Sequence, residues 1–410
     1  MERLYKILPY LYVVIGVFSS QQWLEITVSN QYLVWGSEAI ILGTFLVLGL
    51  RSRRVRAYRI PWQIGLFLLM VLCSSFYGLF MAEGYWDFKM LVTNALIYFL
   101  PLGYCYYIQP SKVSAALRIW MLFSVVLFWV LLPFMQGECV GKFLLPFSFL
   151  LLVCPYFDRR PLILVLAFSA IVMVAGTFGA RSTFLRFAVC LIIALAVWLR
   201  RYVPKSVIAS VVIAEFLLPF LLLVLGLTGV FNVFKIGDYI GANGVEVQNS
   251  YDSSETEDLG LDTRTFLYVE EIASAIKNNY VIQGRSLSRG YDSDYFGTSD
   301  LEMMGRGERA SSEVSILNVF NYFGVVGVFV YLTVFIGAVF SVFRHSRNKF
   351  MYFMAVFVGY KWLWAFVEDF TMFDMNNILM WVAISMCFSP FFLEMDDYQI
   401  ARWANNLIKF

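Results

Sequence analysis

Arg181 and Arg186 stand five residues apart in GTFGARSTFLRF, at the start of an apolar run. On a helix that spacing is about 7.5 Å along the axis. Both fall near a helix N-terminus, where the macrodipole disfavours cations. Guanidinium forks match phosphate oxygens, and free backbone N–H groups at a helix start add donors, so the pair could hold a phosphate. Arg181 reads equally as a snorkelling side chain at a helix end. Arg186 is deeper, and a charge at such depth faces a cavity or a partner. Arg264 repeats the pattern in DTRTFLYVEEIASAIKNN, in the first turn of an expected helix, with solvated surface as its other reading. Arg285 and Arg289 follow in GRSLSRG. Glu313 opens the run EVSILNVFNYFGVVG after Ser311 and Ser312. It has two readings: a first-turn carboxylate stabilised by the dipole and capped by serine, or a general base for a hydroxyl proton. Glu313, Leu317, Phe320 and Gly324 share one expected helical stripe, where Gly324 and Gly327 would admit a close neighbour. Lys361 lies inside an apolar run and is expected in a buried ion pair, with Glu368 and Asp369 as a cap at its end. The lone histidine, His345, falls in RHSRNK and reads as surface.

The elements that position these residues are membrane spans. Hydrophobic residues make up 60% of the 410, charged residues 15%, and the mean hydropathy is +0.71, which excludes an ordinary soluble domain. The fold class is therefore all-α and polytopic, with about 12 transmembrane helices. They are expected at 7–24, 32–50, 61–81, 88–108, 113–133, 143–157, 161–179, 180–199, 206–228, 313–343, 350–369 and 373–392. The sixth is short and broken by Pro146, and the tenth is longer than lipid needs. Nineteen of the thirty-one Lys and Arg residues fall in segments that share one side if the N-terminus is cytoplasmic, among them RSRRVRAYR, DRR, RRYVPK and RHSRNK. That bias puts both termini in the cytoplasm. The chain then divides into helices 1–9 (residues 1–228), a large outward loop (229–312), helices 10–12 (313–392) and a cytoplasmic tail (393–410). MERLYK leads into an uncleaved first helix rather than a signal peptide.

The outward insertion is the one long polar stretch. A short amphipathic helix is expected at 262–279, with Asp262 as its N-cap and Phe266, Val269, Ile272 and Ile276 on the face laid against the membrane or the bundle mouth. GVEVQNSYDSSETEDLG reads as a mobile loop, and GRSLSRGYDSDYFGTSD as an irregular, folded binding loop. The six cysteines fall singly, with only Cys139 in an outward loop, so neither a disulfide framework nor a metal spacing is present. No metal, no cofactor and no nucleic-acid partner is expected.

Three local patterns resemble the bacterial O-antigen polymerase and ligase superfamily, which acts on undecaprenyl-pyrophosphate-linked sugars. They are the arginine opening a mid-chain span (GARSTFLRF), the outer arginine opening a helix followed by a Gly-containing turn (TRTFLYVEEIASAI, then VIQGRSLSRG), and the re-entry run EVSILNVFNYFGVVG. The likeness covers roughly residues 175–345 and the overall topology. Ligase members carry a histidine eleven residues before the first glycine of that run, where this chain has Glu313. The departure favours a polymerase (Wzy-type). The resemblance implies metal-independent, inverting glycosyl transfer at the periplasmic face of the bacterial inner membrane. Glu313 would be the base, Arg181 and Arg264 would hold the diphosphate, and Arg186, Arg285 and Arg289 would support them. The partners implied are an undecaprenyl-pyrophosphate-linked oligosaccharide, the lipid bilayer and a chain-length regulator protein. The alternatives are a lipid-linked oligosaccharide flippase or transporter, and a ligase.

Overall fold

A computed structural model describes residues 2–52, 58–136, 139–175, 181–235, 246–248, 256–258, 264–295 and 306–408. The described residues are 77% helical. In order the helices are α1 (Glu2–Phe18), α2 (Gln31–Ser52), α3 (Trp62–Met81), α4 (Tyr85–Tyr98), α5 (Tyr104–Tyr107), α6 (Pro110–Leu131), α7 (Cys139–Leu144), α8 (Ser148–Val153), α9 (Arg159–Ala175), α10 (Arg181–Trp198), α11 (Lys205–Leu227), α12 (Thr265–Lys277), α13 (Ser315–His345), α14 (Lys349–Trp364), α15 (Met375–Phe388), α16 (Pro390–Leu393) and α17 (Asp397–Asn405). Two short antiparallel pairs lie in the insertion: β1 (Glu246–Gln248) with β2 (Thr256–Asp258), and β3 (Tyr291–Asp292) with β4 (Glu308–Arg309).

Helices dominate because a chain this apolar has to satisfy its backbone groups within each segment. Where polar side chains are available they set the helix starts. Asn348 accepts from Met351 N, Asp374 accepts from Asn377 N, and Asp396 forms a reciprocal capping box with Gln399. Among the described residues seven stretches are long and apolar enough to cross a membrane: Gln31–Ser52, Trp62–Met81, Tyr85–Tyr107, Pro110–Phe134, Cys139–Tyr156, Lys205–Gly226 and Ser315–His345. Helix α3 turns Leu66, Leu69, Leu72, Phe76 and Phe80 outward, an apolar surface that only lipid can cover. The chain is an all-α polytopic membrane protein. Each of the twelve expected spans contains helix, but α1, α9, α14 and α15 have only 14 to 17 residues. A 14-residue helix is about 21 Å long, short of the hydrocarbon thickness of about 30 Å. Helix α15 has no lipid face at all, since every residue from Met375 to Cys387 is buried.

The core forms around α15 and α13. Tyr331 of α13 meets Phe67 of α3 at 5.4 Å and Phe335 at 4.9 Å, and Phe335 meets Trp362 of α14 at 5.7 Å. The basic turns gather at one end of the bundle. There Lys349 Nζ donates to Arg200 O (2.9 Å), Lys205 Nζ to Phe343 O (3.0 Å), and Asp158 N to Asn405 Oδ1 (3.2 Å). The insertion occupies the other end.

Helix α13 differs from the expected continuous span. It starts at Ser315, two residues after Glu313, and it breaks at Gly324, whose φ is +68°. A side chain there would place Cβ 2.2 Å from Ile282 O, so only glycine fits. The break releases backbone groups, and the insertion and α3 take them up. Val325 N donates to Val281 O (2.8 Å), Arg285 N to Asn321 O (2.6 Å), and Ser74 Oγ to Tyr322 O (3.2 Å). Gly284, also at positive φ (+77°), lies against the backbone of Tyr322 and Phe323. Gly324 therefore admits a close neighbour, and that neighbour is the backbone of the insertion. The limb after the break, residues 325–345, is about 31 Å long, enough for one crossing. The first limb stands above it.

Cys139 is also placed differently: it opens α7 and is fully buried, not in an open loop.

Candidate functional site

Helix α12 anchors the insertion. Arg264 is its N-cap, without a capping side-chain bond, and Asp262 lies outside the described residues. Of the face expected against the membrane or the bundle mouth, Phe266 packs on the core and the rest turns outward. Val269 and Ile276 are each 63% exposed, whereas Leu267, Glu271, Ser274 and Ala275 are buried. Ser274 organises this polar seam, accepting from Tyr280 Oη (2.8 Å) and Asp292 N (2.9 Å). Tyr268 Oη donates to Phe366 O at 2.7 Å, which docks α12 on the segment between α14 and α15.

Glu313 lies beside this helix, between two guanidinium groups. Its Oε2 is 2.6 Å from Arg264 Nη1 and its Oε1 is 2.9 Å from Arg309 Nη2. The carboxylate is therefore held by arginines and not by a helix dipole. Its side chain is 44% exposed, which leaves it open to a ligand from the aqueous side. Arg309 went unassigned in the sequence reading, although it stands four residues before Glu313.

Arg285 and Arg289 are tied into the insertion itself. Arg285 bonds Asp292 Oδ1 (2.8 Å), Glu308 Oε1 (2.9 Å) and Gly290 O (2.9 Å). Arg289 Nε bonds Glu308 Oε2 at 3.0 Å, and its Nη2 makes a second, shorter bond to the same carboxylate. Arg306 pairs with Glu83 (2.6 Å) and Asp87, fastening the insertion to the start of α4. Partial burial pushes the Asp292 carboxyl up. Hydrogen bonds from Lys277, Asn278 and Arg285 more than reverse this and hold it at about 2. These arginines hold the insertion's shape, as paired buried charges do.

Beneath Arg309 is a group that sequence reasoning missed. Glu271 is completely buried and, among the described residues, neither of its carboxyl oxygens has a hydrogen-bond partner. Burial pushes its pKa well above the usual carboxylate range, opposed only in part by the Ser312 hydroxyl and the charge of Arg309.

A cleft opens on the far side of the 365–374 segment. It is lined by α1 and its following turn, by α6, α7 and α10, and by residues 368–376. Arg186 and Glu368 form a close ion pair in its wall, with Arg186 Cζ 5.5 Å from the Trp364 ring centre. Thus Arg186 has the carboxylate partner expected of Lys361. Lys361 instead donates to Asn376 Oδ1 (3.1 Å) and sits 5.4 Å from the Phe357 ring centre. Asp369 joins the cleft to the Glu313 side, since Ser315 Oγ bonds both Asp369 Oδ1 and Glu368 O at 3.1 Å. Asp374, Asn376, Lys142, Trp23 and Trp120 also line it, and none carried a sequence signal, because their meeting depends on five separate elements. Arg181 opens α10 at this rim, and its side chain lies outside the described residues. His345 is exposed at the opposite end of α13, with Nδ1 3.2 Å from Ser341 O.

The structure thus brings Glu313 and Arg264 together and places Arg186 across one short segment from them. It puts Arg285 and Arg289 in a separate network. In comparisons with protein-family models, curated proteins and solved structures, nothing matches the chain.

Proposed function

We propose that the chain is an O-antigen polymerase, joining undecaprenyl-pyrophosphate-linked repeat units at the periplasmic face of a bacterial inner membrane. In this reading twelve helices cross or enter the bilayer, both termini are cytoplasmic, and the insertion faces the periplasm. The observation that carries it is the Arg264–Glu313–Arg309 group: a half-exposed carboxylate between two guanidinium groups, where the insertion meets the start of α13.

The chemistry uses both charges. A diphosphate docking on Arg264 and Arg309, with Arg181 at the rim of α10, draws the guanidinium groups from Glu313 onto the phosphate oxygens. The freed carboxylate then takes the proton from the acceptor hydroxyl. The hydroxyl oxygen bonds the anomeric carbon from the face opposite the diphosphate, and the carbon–oxygen bond to phosphate breaks. The electron pair leaves on the lipid diphosphate, whose charge the arginines hold. Configuration at the anomeric carbon inverts. Arg285 and Arg289 support this by fixing the loop, and Arg186 by presenting the cleft. A chain-length regulator would act on this machinery from outside the chain.

A flippase for lipid-linked sugar is the second reading, favoured by the buried charges Arg186 and Lys361 within the bundle. Deleting the gene in its host and resolving the surface polysaccharide on a gel separates these. Polymerase loss leaves lipid A core bearing a single repeat. Core with no repeat means flippase, lipid-linked polymer accumulating in the inner membrane means ligase, and an unchanged ladder ends the polysaccharide reading.

A further inference from the structure

A groove of about 700 Å³ lies at the other end of the bundle, among the basic turns, between the start of α6 and α17. Trp403 Nε1 donates to Pro110 O (2.9 Å), which docks α17 on α6 and shapes the groove. Ser111, Ser114 and Arg118 of α6 form one wall, and Gln399, Arg402 and Asn406 the other. The α6 wall is one helical stripe, because residues four and seven apart share a face. Continued into the span, that stripe holds Leu122, Val125 and Trp129, all exposed. In a polytopic bundle such a surface meets acyl chains. The groove is thus polar at the helix start and runs into a lipid-facing track.

Arg118 stands eight residues after Pro110, about 12 Å along the helix axis. Helical side chains lean towards the N-terminus, which brings its guanidinium to headgroup level. Its Nε–H is buried without an acceptor. Among the described residues neither Arg118 nor Arg402 has a carboxylate partner. Gln399 spends its carbonyl oxygen on Asp396 N (3.0 Å), so its amide adds donors, as do Asn406 and the Ser111 hydroxyl. Glu394 is the one carboxylate in the described lining. The surroundings keep the balance positive. Lys112 lies in the first turn of α6, and Arg59 follows Tyr58, whose ring is 5.7 Å from that of Phe391 in the groove wall. Asp396 is spent on its capping box and Asp397 Oδ1 on Lys349 N (2.9 Å). The turn that meets α17 at Asn405 carries Asp158 beside Arg159 and Arg160. Guanidinium groups without carboxylates, in a lining rich in donors, call for an anion with several oxygens.

We propose that this groove binds an acidic phospholipid of the surrounding leaflet, its phosphate at Arg118 and Arg402 and an acyl chain along Leu122, Val125 and Trp129. The phosphate accepts from Arg118 Nε–H and from the Arg402 guanidinium, and the hydroxyls of a glycerol headgroup donate to Glu394. The apolar track favours a lipid over a free phosphate, and the positive balance favours an acidic headgroup over a zwitterionic one. The site stands apart from the polymerase reading. Only its assignment to the cytoplasmic leaflet follows from the orientation proposed above.

The test offers the full-length protein in mild detergent equimolar phosphatidylglycerol and phosphatidylethanolamine, and reads retained lipid by native mass spectrometry. Phosphatidylglycerol should be retained about fivefold over phosphatidylethanolamine. Glycerol 3-phosphate, with the same phosphate and no tail, should bind more weakly by roughly tenfold or more. Arg118→Gln and Arg402→Gln should each lower phosphatidylglycerol retention about fivefold. Arg344→Gln removes an exposed charge at the same end but outside the groove, and should leave retention unchanged. If Arg118→Gln lowers the melting temperature, Arg402→Gln, on an exposed side chain, carries the test alone. Phosphatidylglycerol with a diazirine in its acyl chain should crosslink to the stretch from Arg118 to Trp129. Equal retention of the two lipids, glycerol 3-phosphate binding as tightly as the lipid, or wild-type retention by Arg402→Gln would overturn the proposal. So would an equal loss in Arg344→Gln, which means diffuse attraction, or crosslinks confined to other helices.

Discussion

The two arginines on Glu313 define what its replacement does. Glu313→Gln preserves shape and removes both the base and one charge of a three-membered group. Polymer should disappear in a complementation gel while the protein reaches the membrane at the wild-type level by immunoblot. Full-length polymer from that variant would end the base assignment. Glu271 makes a different prediction. Its folded pKa is raised above the unfolded carboxyl value of about 4.3, so the folded state holds a proton that the unfolded state gives up. Stability therefore falls as pH rises from about 4 towards the folded pKa. Glu271→Gln is neutral throughout and should melt several degrees higher than the parent at pH 8, with the gap closing towards pH 4. A gap independent of pH would mean that Glu271 is ionised in the fold. At this scale the sequence displayed residue types but not partners. The pairing of Glu313 with Arg309, four residues away, was within reach of a spacing argument. The pairing of Arg306 with Asp87, separated by 219 residues, was not.

Helical segments were largely legible as elements, because an apolar run of about 20 residues is a local property of the chain. The break at Gly324 was not. GVVG reads as a small-residue packing surface, and nothing nearby in sequence announces that residues 281–285 will fill the gap. Helix α12 shows a subtler limit. Its periodicity left two places for the apolar stripe, the membrane or the bundle mouth, and did not show what the opposite face would meet. A polar seam around Ser274 and Glu271 packs inward, against other polar parts of the same insertion. Where lipid is near, an outward apolar stripe carries little penalty. The break is open to a direct test. Gly324→Ala forces a positive φ on a side chain whose Cβ would lie 2.2 Å from Ile282 O. A loss on the order of 3 kcal/mol is expected, read as a lower melting temperature in detergent and faster proteolysis near residues 281–290. An unchanged melt and cleavage pattern would refute the close backbone approach.

Orientation across the bilayer belongs to the whole molecule. The basic turns meet at one end through Lys349, Arg200 and Lys205, and the insertion caps the other. With exposed Cys73 first replaced by serine, Asp294→Cys should react with a membrane-impermeant maleimide from the periplasmic side. His345→Cys should react only after the inner membrane is opened. The reverse labelling would invert the topology and remove the insertion from periplasmic substrates.

The stitch between residues 281–285 and the broken helix also fixes what can be exchanged between chains of this type. The segment that supplies the carbonyls is translated before the helix that needs them, so the later helix completes its bonding on a template already made. A graft of the insertion that ended at residue 312 would leave that template behind a foreign helix. It would present carbonyls to an unbroken backbone with no donors to spare. The smallest transferable cassette therefore extends past Gly324, and a swap of specificity would have to carry part of a membrane span with it.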